Sequence, residues 1–240
     1  MATMDYIYGA YGQLADSVTQ STAVSSTKAV IFGTAPIHLI RNSSRLVNTP
    51  IVVNSMADAK AKVGYSEDWD KYTLCEQLAA NFDNKLGNVG PLYLVNVLDP
   101  AVHKSAEATT VDLTFVDNKA TIASSDIIVD TLALEGMVYD KDYITDYDYV
   151  KGQLIVTYVG SNVPTSPVSA SYSTVDTTAI TEDDLIGGVT SGGEYSGIGV
   201  LKLVNQEMDI VPTLLAAPGW SHIPKVYNSL VTASDRINGH

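Results

Sequence analysis

The chain has 240 residues, 45% hydrophobic and 17% charged, a balance that places it among globular proteins and excludes a disordered chain. A net charge of −13 excludes a generic nucleic-acid surface, since that binding rests on Lys and Arg neutralising phosphates, and it disfavours anionic membranes. The single cysteine, Cys75, excludes an intramolecular disulfide and a thiolate metal cluster, and it is expected to be a small buried apolar filler.

No apolar run approaches the roughly 20 residues needed to span a bilayer, so no direct membrane insertion is expected. Met1-Ala2-Thr3-Met4-Asp5 has no basic region followed by an apolar block, and synthesis in a cytoplasm is the expectation. Residues 1–24 mix tyrosine, glycine, serine and threonine without a helical period and read as an extended arm. Its tyrosine cluster, with Tyr6, Ile7, Tyr8 and Tyr11, suits strand addition to the sheet edge of another subunit.

Residues 25–106 read as an α/β domain. Ala29-Val30-Ile31-Phe32 is a short apolar run stopped by Gly33-Thr34-Ala35-Pro36, the pattern of a buried strand, and Pro50-Ile51-Val52-Val53 predicts a second. Ser55 and Asp58 form an N-cap signature for a helix ending at Gly64. Thr73 and Glu76 repeat it for a helix with Leu74, Leu78, Phe82 and Leu86 on one face and Gly87 as its stop. Leu92 to Leu98 supplies a further strand.

Residues 107–176 lose the helical period. Ile127-Ile128-Val129, Tyr143-Ile144-Thr145, Leu154 to Val159 and Val168 to Tyr172 predict strands between turns rich in Gly, Pro, Asp and Asn, which favours an inserted small β-sandwich or barrel. Residues 177–240 return to α/β character and read as the start of an incomplete core. Thr181 to Ile186 predicts a short capped helix, Val200 to Gln206 another, Thr213 to Ala217 a strand, and Lys225 to Arg236 a helix with Val226, Leu230 and Ala233 inward. A βα unit normally returns to another strand, so the end at Asn238-Gly239-His240 reads as an interrupted domain. The expected fold class is thus mixed, α+β and α/β: an α/β layer domain, an inserted β-module and the beginning of a second α/β core.

Motifs for chemistry are absent. Gly197-Ile198-Gly199 is followed by Val200-Leu201, which lacks the Lys-Ser/Thr of a phosphate loop, and Lys202 stands where a dinucleotide loop needs its third glycine. His38, His103, His222 and His240 are isolated, and surface or loop roles are expected for them. Asp140, Asp142, Asp146 and Asp148 lack calcium-loop spacing and alternate with tyrosines, as in strands with solvated carboxylates. No serine elbow is present, and Cys75 lies mid-helix without a histidine to activate it. The reading is of a non-enzyme with no catalytic, cofactor-binding or metal-binding residues.

Taken in order, these motifs resemble the N-terminal half of bacteriophage contractile tail sheath proteins over nearly the whole chain. The resemblance runs through Gly33-Thr34-Ala35-Pro36, Thr49 to Ser55, the helix from Tyr72 to Asn84 and the strand Leu92 to Val97. It continues through Asp183-Asp184-Leu185-Ile186-Gly187-Gly188, Gly197-Ile198-Gly199 and Ala216-Ala217-Pro218-Gly219. It implies a structural subunit that stacks as hexameric rings around a tail tube protein, meets baseplate and tail terminator proteins, and contracts to drive the tube through a host envelope. It also implies a place in the virion tail after assembly in the host cytoplasm, whether for a phage, a prophage or a tail-like bacteriocin. The family continues well beyond the position matching His240, which implies that this chain is truncated. The alternative is a cell-surface or carbohydrate-binding β-module, resting on the tyrosines between Tyr139 and Tyr172, whose faces suit sugar stacking. A nucleotide-dependent enzyme would show itself by a thermal shift with ATP or NAD, and none is expected.

Overall fold

The computed structural model describes residues 28–42, 46–85 and 87–237. The expected arm with Tyr6, Ile7, Tyr8 and Tyr11 lies outside the described residues. The first strand, β1, spans Ala29–Gly33, and Val30, Ile31 and Phe32 are all buried despite pointing alternately to opposite faces. Such a run belongs to a strand covered on both sides. A buried 3-10 turn, Ile37–Leu39, follows. Strand β2 (Pro50–Val53) leads into α1 (Met56–Lys62), where the Ser55 hydroxyl accepts from the Asp58 amide at 3.1 Å as the sequence predicts.

Helix α2 spans Thr73–Phe82 with Leu74 and Leu78 fully buried and Phe82 nearly so, and strand β3 (Leu92–Asn96) follows. Two details of α2 differ from expectation. Its N-cap is Tyr72, because the Thr73 side chain is engaged with Thr34 instead. Its end comes at Phe82, ahead of Gly87, where the Asn81 and Asn84 amides turn back onto the Gln77 and Ala80 carbonyls, each at 2.8 Å, and satisfy the last turn. Leu86 is outside the described residues.

Six strands follow: β4 (Thr109–Leu113), β5 (Lys119–Ile122), β6 (Ala133–Leu134), β7 (Tyr143–Asp148), β8 (Gln153–Tyr158) and β9 (Val168–Tyr172). They form two three-stranded antiparallel sheets, ordered β4-β9-β6 and β5-β8-β7. Leu113, Ile122, Leu154, Val156 and Ala170 share one core with Tyr143, Tyr147 and Tyr172. Those three tyrosines are buried, which removes them from any sugar-stacking face. The strand expected at Ile127-Ile128-Val129 is not formed. Ile127 makes one bridge, to Thr174, and Val129 opens a 3-10 turn. The apolar run exists for another reason: Ile128 enters the core of the α/β layer, while Ile127 and Val129 enter that of the insertion. Wedged between two cores, the segment is buried without needing sheet partners.

The chain then forms α3 (Glu182–Ile186), the two-residue strands β10 (Gly188–Val189) and β11 (Tyr195–Ser196), α4 (Leu201–Met208), β12 (Leu214–Ala216) and α5 (Pro224–Ile237). Thr181 caps α3 through a reciprocal box with Asp184. Strand β12 lies parallel to β1, giving a four-stranded sheet ordered β12-β1-β3-β2 in which only β2 is antiparallel. Leu185, Ile198, Val204, Val226 and Leu230 accordingly pack in the same core as Val30 and Leu94. Helices α1 and α2 lean on β2 and β1, α4 on β2 and α5 on β12. The molecule is a mixed α and β fold, without a closed barrel among the described residues.

Candidate interaction surface

Two sets of sequence motifs, nearly the whole described chain apart, meet at the start of α2. Thr34 donates its amide to the Thr73 hydroxyl at 3.3 Å, and its own hydroxyl accepts from the Thr73 amide at 3.1 Å and donates to the Lys71 carbonyl at 2.7 Å. Gly33 permits this approach, since a Cβ there would stand 2.5 Å from the Thr73 hydroxyl. From the other side comes Ala217-Pro218-Gly219. Gly219 has a left-handed φ of +75°, and a Cβ on it would stand 2.6 Å from the Thr73 methyl. The Ala35 amide donates to the Asn96 side chain at 2.8 Å, and the Asn96 amide group donates to the Leu98 carbonyl at 2.8 Å. Pro36 lies against Gly64. Asn96 was not singled out from the sequence, although it is the one polar side chain in the run Leu92 to Leu98, and a buried polar residue must have partners.

The second set of glycines forms a backbone cradle. A Cβ on Gly187 would collide with the Ser196 carbonyl group, and one on Gly197 would stand within 2.6 Å of the Asp184 carbonyl oxygen. Gly199 lies against the Gly188 backbone in the same way. The hairpin of β10 and β11 therefore closes on the end of α3 with main chain against main chain. The Gly197 amide donates to Asn48 at 2.9 Å, which ties the cradle to the start of β2. Beside it lies a cavity of about 670 Å³ walled by Gly187, Gly188 and Gly199, with Leu201 and Lys202 from α4 and Arg236 from α5.

The histidines divide differently from expectation. His38 and His103 are buried, at 0% and 4% exposure, and are structural pins rather than surface residues. His38 Nε2 donates to the Ser125 carbonyl at 3.0 Å, joining the layer to the insertion, while its Nδ1 has no partner among the described residues. Burial holds its pKa down at about 4, against the opposing pull of the Ser125 bond and of Asp126. His103 Nδ1 accepts from the Asp99 amide at 3.0 Å, and its Nε2 lies 3.7 Å from Asp184. Cys75 is fully buried, and burial pushes its thiol up to about 12, far from a reactive thiolate. Asp142 and Asp148 accept from turn amides. Among the described residues no group of three His, Cys, Asp or Glu is placed to hold a metal ion, and no helix is long and apolar enough to cross a membrane.

The two end strands of the main sheet differ. On β2, Pro50 removes an amide, and the Lys62 ammonium donates to the Val52 carbonyl at 2.7 Å, devices that blunt an edge. Strand β12 has neither, and the chain from Ile210 to Pro224 carries no Lys, Arg, Asp or Glu. Along it runs a cleft of about 710 Å³ bordered by Gln77 of α2 and by Tyr227 and Val231 of α5. Leu214, Tyr227 and Val231 are exposed there. Among the described residues this strand edge is open, with apolar walls and no guard.

The chain is 29% identical over 225 residues to the tail sheath protein of Burkholderia phage BcepMu, a match covering 90% of this chain. Over most of its length the chain is thus similar to a phage tail sheath protein. It spans 44% of the length of that sheath protein. No protein-family model matches the chain, and no solved structure matches it significantly. The motif glycines are close-packing points that hold this framework in shape.

Proposed function

We propose that the chain is part of a structural subunit of a contractile tail sheath. It would polymerise in stacked hexameric rings around a tail tube, meet baseplate and terminator proteins at the ends, and contract to drive the tube through a host envelope. The similarity to the BcepMu tail sheath protein over most of the chain carries this reading. The work would come from exchanging one set of subunit interfaces for a more favourable one, so a bistable assembly takes the place of an active site. Assembly would proceed in the host cytoplasm, with the finished sheath residing in the virion.

At the finer level, the arm of residues 1–24, with Tyr6, Ile7, Tyr8 and Tyr11, would add a strand to a neighbouring subunit's sheet. The unguarded β12 edge supports this reading, since strand addition requires free main-chain groups and pockets for alternate side chains. Its entry point is close by. Lys28, where the described chain begins, donates its amide to the Thr213 hydroxyl at 3.0 Å, and the Thr213 amide donates back to the Lys28 carbonyl at 3.0 Å.

The test is electron microscopy of the polypeptide, at the full length of its reading frame, co-expressed with the tail tube protein of the same genome. Tubes sheathed in stacked rings are expected, and loss of the sheath when residues 1–24 are deleted. Bare tubes from the intact polypeptide would overturn the sheath reading. Normal sheaths without residues 1–24 would overturn only the role of the arm.

A further inference from the structure

Both tryptophans of the chain line one cleft of about 430 Å³ at the start of α2. Trp69 stands on the turn before that helix and is 44% exposed. Trp220 follows Gly219, whose left-handed backbone and close approach to Thr73 swing the turn between β12 and α5 onto the same site. The indole Nε1 of Trp220 is shut away from solvent, without an acceptor among the described residues. Asp70 and Glu76 stand on the walls, both exposed, and neither carboxylate makes a hydrogen bond or ion pair among the described residues. Neighbouring Asp68, by contrast, is paired with Lys71 at 3.5 Å. Thr73, His222 and Ile223 also line the cleft, and no lysine or arginine does.

Each part of this arrangement favours the same kind of visitor. An indole face carries negative charge density and attracts a cation placed over it. Two unpaired carboxylates add full negative charges beside it. The positive pole of α2 opposes them, but it amounts to about half a charge and falls off within the first turn. Trp220 adds an apolar wall to the cleft, which the methylene stem of a lysine or arginine side chain covers and a free metal cation does not. Exposed tryptophan is also the side chain most enriched where protein interfaces concentrate their binding energy. The chain's net charge of −13 makes a basic partner the electrostatic complement.

We infer that this cleft docks a lysine- or arginine-bearing segment of another protein, with the cation held at Trp69 beside Asp70 and Glu76. Because both tryptophans line the cleft, emission excited selectively through tryptophan reports on this site. Titration with hexaarginine amide is expected to shift the emission saturably, with hexaglutamate as an inert control. The double variant Asp70→Asn/Glu76→Gln is expected to bind at least tenfold more weakly, with an unchanged circular dichroism spectrum because both positions are exposed. Glu76→Gln alone reads the same loss should the double variant fail to fold. Absence of a saturable shift in the wild-type chain, or equal affinity in the carboxylate variants, would overturn the proposal.

Discussion

Gly197 and Gly192 belong to the same glycine-rich stretch but have different roles. Gly197 has a φ of +53° and no room for a Cβ between the Asp184 and Leu185 carbonyls, whereas a Cβ on Gly192 would meet only the Thr190 hydroxyl at 3.7 Å. Gly197→Ala is therefore expected to cost about 3 kcal/mol in urea unfolding, and Gly192→Ala less than about 0.5 kcal/mol. Equal effects would remove the backbone cradle as the reason for these glycines. His38 supplies a pH signature. Its folded pKa of about 4 lies below the ordinary 6.5, so the unfolded chain takes up the proton first. The stability it supports is present above pH 6.5 and lost as pH falls from 6.5 toward 4, by about 3 kcal/mol. Chemical denaturation across that range should show the loss in the wild-type chain and a flatter profile in His38→Gln, which keeps a donor for the Ser125 carbonyl.

At the scale of elements, burial pattern follows position in the sheet. Strand β1, between β12 and β3, is apolar on both faces, whereas β7 at the end of its sheet alternates, with Tyr143 and Tyr147 buried and Ile144 exposed. Both patterns were legible from the residues, as were β2, β9 and the Ser55 cap. Ile127 to Val129 misled because a segment between two cores has the same apolar composition as a buried strand. Strand β12 was recognisable as a strand, but its openness to solvent on one flank was not. Leu214→Lys places a charge on that exposed edge. It is expected to change stability by less than about 0.5 kcal/mol, while blocking strand addition between copies of the polypeptide that carries the arm. Sedimentation of the two forms would check this, and undiminished association of the variant would point to a different receiving edge.

For the molecule as a whole, the insertion enters and leaves the layer side by side. Lys104 bridges Val175, and the Ser105 amide donates to the Thr174 carbonyl at 2.8 Å. With its own core and closely spaced ends, the segment 105–175 is expected to fold when expressed alone, giving a β-type circular dichroism spectrum and a cooperative thermal transition. A non-cooperative melt would mean that the contribution of Leu39 and the His38 pin from the layer are indispensable. The layer has the opposite character. Its sheet needs Ala29 and Leu214 in register across 185 residues of sequence, so it closes only after the chain beyond the insertion has been made.

The sequence by itself determined the local elements and the class of the protein. Side-chain periodicity, caps and turn residues act over a few positions, and the ordered motifs already resembled a tail sheath protein. Tertiary structure alone decided that Gly33-Thr34 and Ala217-Pro218-Gly219 converge on Thr73, that His38 and His103 are buried pins, and that β12 completes the sheet of β1 while leaving its own edge open. Those outcomes depend on which surfaces meet between segments distant in sequence, from 39 residues for Thr34 and Thr73 to 185 for Lys28 and Thr213. No local pattern records them, because burial and pairing are properties of the partner as much as of the residue.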